Sequence, residues 1–440
     1  MPIHIEELLN RLEKNGYEAY LVGGCVRDFI RGIEPNDYDI ATNAKAIETE
    51  SVFSDYRTVD IGSEYGTIVV VTQYGNVEIT SYRYDGEYDD RRHPSKVEFV
   101  NNIEEDLGRR DFTINAMAMD LRGNIVDPYG GKIDLSRGLI QTVGDSAKRF
   151  EEDKLRILRA IRFATQFDFD LEPKTMGNIN KYANSINVVS YERIRDEFSK
   201  ILLSKTPSRG LHLLQETGIL NELIPELIPT VDFDQKTPYH NKTLFDHILC
   251  VVDNVKPKLH LRLAALFHDI EKPNTLTIDE SGKGHFYGHD ILGGETAEKI
   301  MRRLRYDNIT INAVKVLIEQ HMKAHDVMTK KAVKRQMNRV GEEYIYDLLN
   351  LMIADRICTS EDRDIDFLLE RIGIVDEILN NSEIYKKNQI AINGNDIKDL
   401  GFSEGVIIGE ILDFLYELVL ENKDLNDRDK LIELIEKNYK

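Results

Sequence analysis

The 440-residue sequence predicts an α+β fold, with a mixed head over residues 1–150 and a mostly α-helical remainder. Three observations carry that prediction. Leu21-Val22 runs into Gly23-Gly24 and then the charged start Cys25-Val26-Arg27-Asp28, which reads as strand, tight turn and helix. Thr67–Thr72 and Val77–Tyr82 are rich in Val, Ile and Thr, and Tyr74-Gly75-Asn76 breaks them, the pattern of a hairpin. Beyond Glu152 the apolar residues recur at helical spacing, first at Leu155, Leu158 and Ile161 and later at Ile407, Ile408, Ile411, Leu412 and Leu415.

The length suits two to four domains. An apolar content of 41% and a charged content of 30% are those of an ordinary soluble chain. No run approaches the roughly 18–20 apolar residues that a membrane span needs, so no membrane partner is expected. Met1 to Glu7 lacks the basic and apolar regions of a signal peptide. Cys25, Cys250 and Cys358 match neither a disulfide framework nor a cysteine zinc site, and a reducing, cytoplasmic compartment is expected. The formal charge of −20 opposes binding to a polyanion. Basic islands stand against it at Arg91-Arg92, Arg109-Arg110, Arg156 to Arg162, Arg302-Arg303 and Lys330 to Arg335.

In the head, residues 5–14 have the spacing of a short amphipathic helix. The glycine pair lets backbone N–H groups approach a phosphate, although most such turns are only turns. Asn36-Asp37-Tyr38-Asp39 follows, and in a strand Asp37 and Asp39 project together while Tyr38 points away. Neighbouring carboxylates repel unless a cation sits between them, and oxygen ligands beside phosphates suit Mg²⁺. A bare Asp-x-Asp is also compatible with a solvated loop. Glu78, on the second hairpin arm, reads equally as a third carboxylate or as a surface residue. Residues 83–96 contain almost nothing to bury and read as a loop. In Arg109-Arg110-Asp111-Phe112-Thr113-Ile114-Asn115-Ala116, adjacent arginines suit a triphosphate, or simply open a basic helix. Ala116–Asp120, Arg122-Gly123-Asn124 and Ile125–Asp127 then read as strand, turn and strand.

Glu152 to Phe163 reads as one helix with acidic residues in its first turn, Asp153 and Arg156 sharing a face that Arg159 and Arg162 extend. As a bare pattern this is a solvated charged face.

Taken in order, these blocks resemble the class II tRNA nucleotidyltransferases (CCA-adding enzymes) and bacterial poly(A) polymerases, of the DNA polymerase β-like nucleotidyltransferases. The blocks are Leu21–Asp28 with Asn36–Thr42, Arg109–Ala116, Asp127–Gly131 with Asp134-Leu135, Glu152–Phe163, and Tyr191–Phe198. The resemblance implies a polymerase-β-like head followed by a helical neck, body and tail. It implies that Gly24, Arg27 and Arg110 meet the triphosphate and that Asp37 and Asp39 carry Mg²⁺ and the chemistry, with Glu78 still open as a third catalytic carboxylate or a surface residue. Residues 83–96 resemble the family's flexible loop, linked to ATP incorporation. Asp127 to Leu135 looks like a head-to-neck hinge, and Tyr191–Phe198 is read as structural support.

It also implies that Asp153 and Arg156, with Arg159 and Arg162, bind the nucleobase. Cytosine and adenine share an amino donor beside a ring-nitrogen acceptor, whereas uracil and guanine present the reverse. One carboxylate and one guanidinium can therefore read C and A together, each contact being worth roughly 1–3 kcal/mol of discrimination.

Further along, His247 lies on the apolar run Leu244–Val252, followed by His268-Asp269, His289, His321 and Asp355. The order H…HD…H…H…D resembles the HD phosphohydrolase superfamily. That resemblance implies one metal on His247, His268, Asp269 and Asp355 and a second on His289 and His321, the chemistry suiting Mn, Ni, Fe or Zn. Glu271 replaces the usual glycine after His-Asp-Ile, which could alter the local turn.

The expected organisation is a head at 1–150, a neck at 151–235, an HD domain at 236–375 and a tail at 376–440. The expected activity is addition of C, C and A to tRNA lacking its 3′ CCA, from CTP and ATP. The rivals are a poly(A) polymerase or A-adding enzyme and, from another class, an HD phosphohydrolase whose head only binds nucleotide or RNA.

Overall fold

A computed structural model describes residues 1–62, 65–85, 97–236, 243–323, 328–359 and 364–439. The chain divides into two compact units, Met1–Pro225 and Glu226–Lys440.

The first unit begins with α1 (Ile3–Lys14), which buries Ile5, Leu8, Leu9 and Leu12, an apolar stripe at helical spacing. β1 (Ala19–Val22) leads through Gly23 into α2 (Gly24–Ile30). β2 (Asp39–Thr42), α3 (Ala46–Val52), β3 (Arg57–Gly62), β4 (Thr67–Thr72) and β5 (Gly75–Ser81) follow. β6 (Arg83–Asp85) and β7 (Val97–Phe99) pair antiparallel, and α4 (Ile103–Gly108) comes next. β8 (Ala118–Met119) and β9 (Ile125–Val126) complete, among the described residues, a seven-stranded sheet in the order β3-β4-β5-β2-β1-β8-β9. β2 lies between β1, to which it is antiparallel, and β5, to which it is parallel, so that Asp39 stands opposite Glu78. Alternation buries both faces of the sheet centre. Leu21 and Ile40 join the core under α1, while Val22 and Ala41 join Tyr82, Ile103 and Leu107 on the other side.

The first unit continues with α5 (Gly131–Arg137), α6 (Ser146–Glu152), α7 (Leu155–Phe167), α8 (Pro173–Tyr182), α9 (Tyr191–Leu202), α10 (Pro207–Glu216) and α11 (Ile219–Leu223). Asp127 accepts the backbone N–H groups of Gly131 and Lys132 at 2.7 and 2.9 Å, fixing the start of α5. A Cβ at Gly131 would stand 2.2 Å from the Thr113 carbonyl oxygen, so only glycine seats α5 there.

The second unit is built of α12 (Leu244–Asn254), α13 (Leu259–Phe267), α14 (Lys272–Thr275), α15 (His289–Arg303), α16 (Asn308–His321), α17 (Lys330–Val340) and α18 (Ile345–Thr359). It ends with α19 (Asp366–Asn380), α20 (Gly394–Asp399), α21 (Val406–Glu421) and α22 (Arg428–Tyr439). Tail residues Ile397, Ile411, Leu415, Val419, Leu431 and Ile435 form one core. The basic island on α17 is internally balanced: Lys330 and Lys334 pair with Glu383, and Lys331 and Arg335 pair with Glu417.

Four readings of the sequence are corrected. Arg83–Asp85 are strand rather than loop, while residues 86–96, with Arg91-Arg92, lie outside the described residues. β2 begins at Asp39, leaving Asp37 in a bend just before it. The helix read through Glu152–Phe163 is broken, because Asp153 is extended (φ −141°, ψ 110°) between α6 and α7. Cys250 and Cys358, read as scattered, are joined by a disulfide, and Cys25 is a buried free thiol. No helix among the described residues is long and apolar enough to cross a membrane.

Candidate active site

Gly23, Gly24, Arg27, Asp37, Asp39, Arg109, Arg110, Asp153, Arg156, Arg159, Arg162 and Arg193 line one cavity of about 660 Å³, together with Asp111 and Asn115. The fold brings them there from five directions: the turn before α2, the start of β2, the end of α4 with the segment after it, the α6–α7 break with α7, and the start of α9.

Gly23 occupies φ 77°, and a Cβ there would stand 3.0 Å from an Arg110 guanidinium nitrogen and 3.8 Å from Asp39 Oδ2. The positive φ therefore belongs to Gly23, with Gly24 opening α2 behind it. Burial raises the Asp39 carboxyl, and Glu78 and Asp37 raise it further, against a lowering by Arg110. A carboxylate surrounded by its own kind is a place where a cation gains most. Glu78 acts on Asp39 from the neighbouring strand, although it does not line the cavity. Arg110 Nη2 pairs with Asp106 Oδ2 at 3.2 Å, and its Nε is buried without a hydrogen-bond partner.

Arg27 is built into the wall. It donates to Asp28 at 2.9 and 3.1 Å and to Asn115 Oδ1 at 2.7 Å, and its guanidinium lies 4.5 Å from the Phe167 ring centre. Asn115 donates to Asp111 at 3.2 Å, and Arg159 clasps Asp111 at 2.7 and 2.5 Å. Burial pushes the Asp111 carboxyl up, but Arg159 overrides it and holds it down at about 2. Arg162 bonds Glu197 at 2.5 Å and stacks on Phe163 at 3.8 Å.

Asp153 and Arg156 face the same cavity, but each already holds a partner. Arg193 forks onto Asp153 at 3.3 and 2.7 Å, and Arg156 bonds Glu152 at 2.6 Å and the Arg109 carbonyl at 3.1 Å. Asp153 also accepts the Leu155 N–H at 3.0 Å, capping α7 from the break that precedes it. Sequence reading missed Arg193 as a cavity residue, because it sits in the Tyr191–Phe198 block taken as structural. It also missed Asp111 and Asn115 individually, though it singled out their block.

A second cluster lies in the other unit. His247 on α12, His268 after α13 and Asp355 on α18 converge, as do Asp269, His289 on α15 and His321 on α16. Asp269 faces both groups: Oδ2 is 3.2 Å from His268 Nε2, and Oδ1 is 3.3 Å from His289 Nε2 and 3.7 Å from His321 Nε2. The resemblance assigns Asp269 to the first group alone, whereas its second oxygen reaches the other. His247 Nε2 is 3.1 Å from Asp355 Oδ1. The Nδ1 atoms of His268, His289 and His321 meet the carbonyls of Ala265, Phe286 and Ile318 at 2.8, 2.6 and 2.6 Å. That fixes the tautomer, and the buried Nε2 atoms of these three make no hydrogen bond. The donor set fits a transition metal. Burial raises the Asp269 carboxyl, but His268 and then Lys272, whose Nζ lies 2.6 Å from Asp269 Oδ2, hold it well down. Glu271 has φ −94°, open to any residue, so the missing glycine leaves the turn intact.

Residues 19–141 match the family described as poly A polymerase head domain. Residues 168–230 match a probable RNA and SrmB binding site of polymerase A, and 290–435 a tRNA nucleotidyltransferase domain 2. A CCA-adding enzyme of Bacillus licheniformis is 47% identical over 216 residues, 49% of this chain and 54% of that protein. One of Ligilactobacillus salivarius is 31% identical over 440 residues, covering 97% of this chain and 94% of its own. The crystal structure of the Bacillus stearothermophilus CCA-adding enzyme in complex with CTP superposes with a TM-score of 0.75 at 28% identity, over 99% of this chain and 96% of the other. A full-length likeness of this degree, on a fold that gathers two aspartates and a row of arginines around one cavity, has one meaning: the chain belongs to the CCA-adding enzymes, a family of nucleotidyltransferases.

Proposed function

We propose that this protein adds C, C and A to the 3′ end of tRNA from CTP and ATP, without a nucleic-acid template. The observation that carries the reading is the single cavity shared by the Asp37/Asp39 pair and the Asp153, Arg156 and Arg193 group. The relatives' shared name, CCA-adding enzyme, supports this over poly(A) or A-only addition.

Enzymes of this kind use divalent metal ions. We assign Mg²⁺ to Asp37 and Asp39, with Glu78 in support; when bound it supplies activation of the attacking hydroxyl and stabilisation of the leaving pyrophosphate. Arg110 and the backbone at Gly23-Gly24 hold the triphosphate, and Arg27 braces that turn against Asn115. Asp153 accepts from the amino group of C or A, and Arg156 donates to the ring nitrogen. Arg159 and Arg162 close the wall through Asp111 and Glu197. The head (1–150), neck (151–235), HD domain (236–375) and tail (376–440) are the proposed divisions, and the cytoplasm is the proposed compartment.

The test incubates the protein with tRNA truncated before CCA and with each nucleotide singly and combined, and sequences the 3′ ends. C, C and A in order are expected with the combined nucleotides, and no addition by Asp37→Asn or Asp39→Asn. A run of A with ATP alone would point to poly(A) addition, and near-normal CMP incorporation by either mutant would sink the metal assignment.

A second reading concerns the other unit: the cluster of His247, His268, Asp269, Asp355, His289 and His321 binds a transition metal (Mn, Ni, Fe or Zn) and hydrolyses a phosphoester. The three unpartnered Nε2 atoms favour it.

A further inference from the structure

We propose that Cys250 and Cys358 form a reversible thiol–disulfide site that governs how tightly the neighbouring cluster keeps its metal, an inference that rests on the metal reading above. The two cysteines are separated by 108 residues in sequence, yet their Cα atoms lie 5.8 Å apart. Their places on the helices explain the consequence. Cys250 follows His247 by three residues on α12, and Cys358 follows Asp355 by three on α18. Residues three apart share a helix face. The faces that bring His247 Nε2 to 3.1 Å from Asp355 Oδ1 therefore also bring the sulfurs together, one turn away. The disulfide is a staple between the two helices that carry this ligand pair.

The surroundings suit exchange. Asn254 Nδ2 donates to the Cys250 carbonyl at 2.9 Å and lies 3.7 Å from Cys250 Sγ and 3.6 Å from Cys358 Sγ, its second N–H placed to receive a thiolate. Cys250 is half-buried and Cys358 buried, so an incoming thiolate reaches Cys250 first. Attack of a reductant thiolate on Cys250 Sγ forms a mixed disulfide and expels the Cys358 thiolate beside Asn254, where it takes up a proton. A second thiol of the reductant then attacks the mixed disulfide, leaving the reductant as a disulfide and Cys250 as a thiol. Two electrons and two protons pass to the protein. Oxidation reverses this with a small disulfide such as oxidised glutathione. Cys25 takes no part, since burial pushes its thiol up to about 11.

With the bond closed, the spacing of His247 and Asp355 is set covalently. With it open, helix packing and the His247–Asp355 contact alone set it. Losing a partner that orients metal ligands typically costs about 10- to 100-fold in affinity, and a difference of that size is expected between the two states.

The experiment uses the full chain, oxidised with glutathione disulfide or reduced with a phosphine, with thiols counted in each preparation. Mn²⁺ and Ni²⁺ binding is measured by equilibrium dialysis, and release by chelator challenge. The oxidised wild type is expected to bind about 10- to 100-fold more tightly and release more slowly than the reduced form. Cys250→Ser and Cys358→Ser should match the reduced wild type under both conditions. Equal affinity in verified oxidised and reduced protein would overturn the coupling while the metal site stands. No binding in either state would overturn both. Three titratable thiols persisting after oxidation would overturn the exchange itself.

Discussion

Asp153 works as a hinge pin between recognition and structure: one oxygen caps α7, and both meet Arg193. Removing it should change which nucleotide is added more than how fast. Asp153→Ala should let UTP and GTP gain about 5- to 150-fold against CTP and ATP, the range of one lost base-edge contact. Arg156→Ala should blur the choice and weaken binding as well. Competition between CTP and UTP on tRNA lacking CCA measures both, and a CTP preference unchanged within about twofold would leave the pair a structural role alone, in its ion pairs with Arg193 and Glu152. Asp37, Asp39, Arg110, Asp153 and Arg156, which the family resemblance singled out, all line one cavity, although neither the strand spacing of the first pair nor the helix face of the last survives in the structure. Arg193 was not singled out. Its tie to Asp153 joins α9 to the α6–α7 break, and nothing in local spacing announces a contact between separate helices.

At the scale of elements, the hairpin, the first helix and the strand–turn–strand at Ala118–Val126 followed from period and turn residues. The helix read through Glu152–Phe163 is not continuous: α6 ends at Glu152 and α7 starts at Leu155. Asp153 prefers to hydrogen-bond backbone from an extended conformation, and that local competition outweighs the apolar repeat. α7 is instead tied to the head block by Arg159 and Asp111. Because the folded Asp111 carboxyl sits at about 2, below its unfolded value of about 3.9, its contribution is fully present above the unfolded value and is lost as pH falls through the folded one. The contribution is on the order of 2–3 kcal/mol. Asp111→Asn should therefore be less stable at neutral pH, and the gap should close between about pH 4 and pH 2. Urea midpoints across that range test it, a gap that does not change with pH being the contrary result.

For the whole molecule, the two units separate the chemistries: the nucleotide cavity belongs to Met1–Pro225 and the histidine cluster to Glu226–Lys440. His268→Ala with Asp269→Ala should abolish metal binding and any phosphoester hydrolysis while leaving CCA addition intact. Metal analysis beside 3′-end sequencing checks this, and loss of addition would show that the units do not act separately. The net charge of −20 had weighed against a nucleic-acid substrate, since composition cannot show where charges lie. Around the cavity Arg110, Arg156, Arg159, Arg162 and Arg193 are each matched by an acidic side chain, respectively Asp106, Glu152, Asp111, Glu197 and Asp153. The carboxylates thus hold five guanidinium groups in place before any nucleotide arrives, so the acidic residues of the chain serve as the scaffold of its basic cavity.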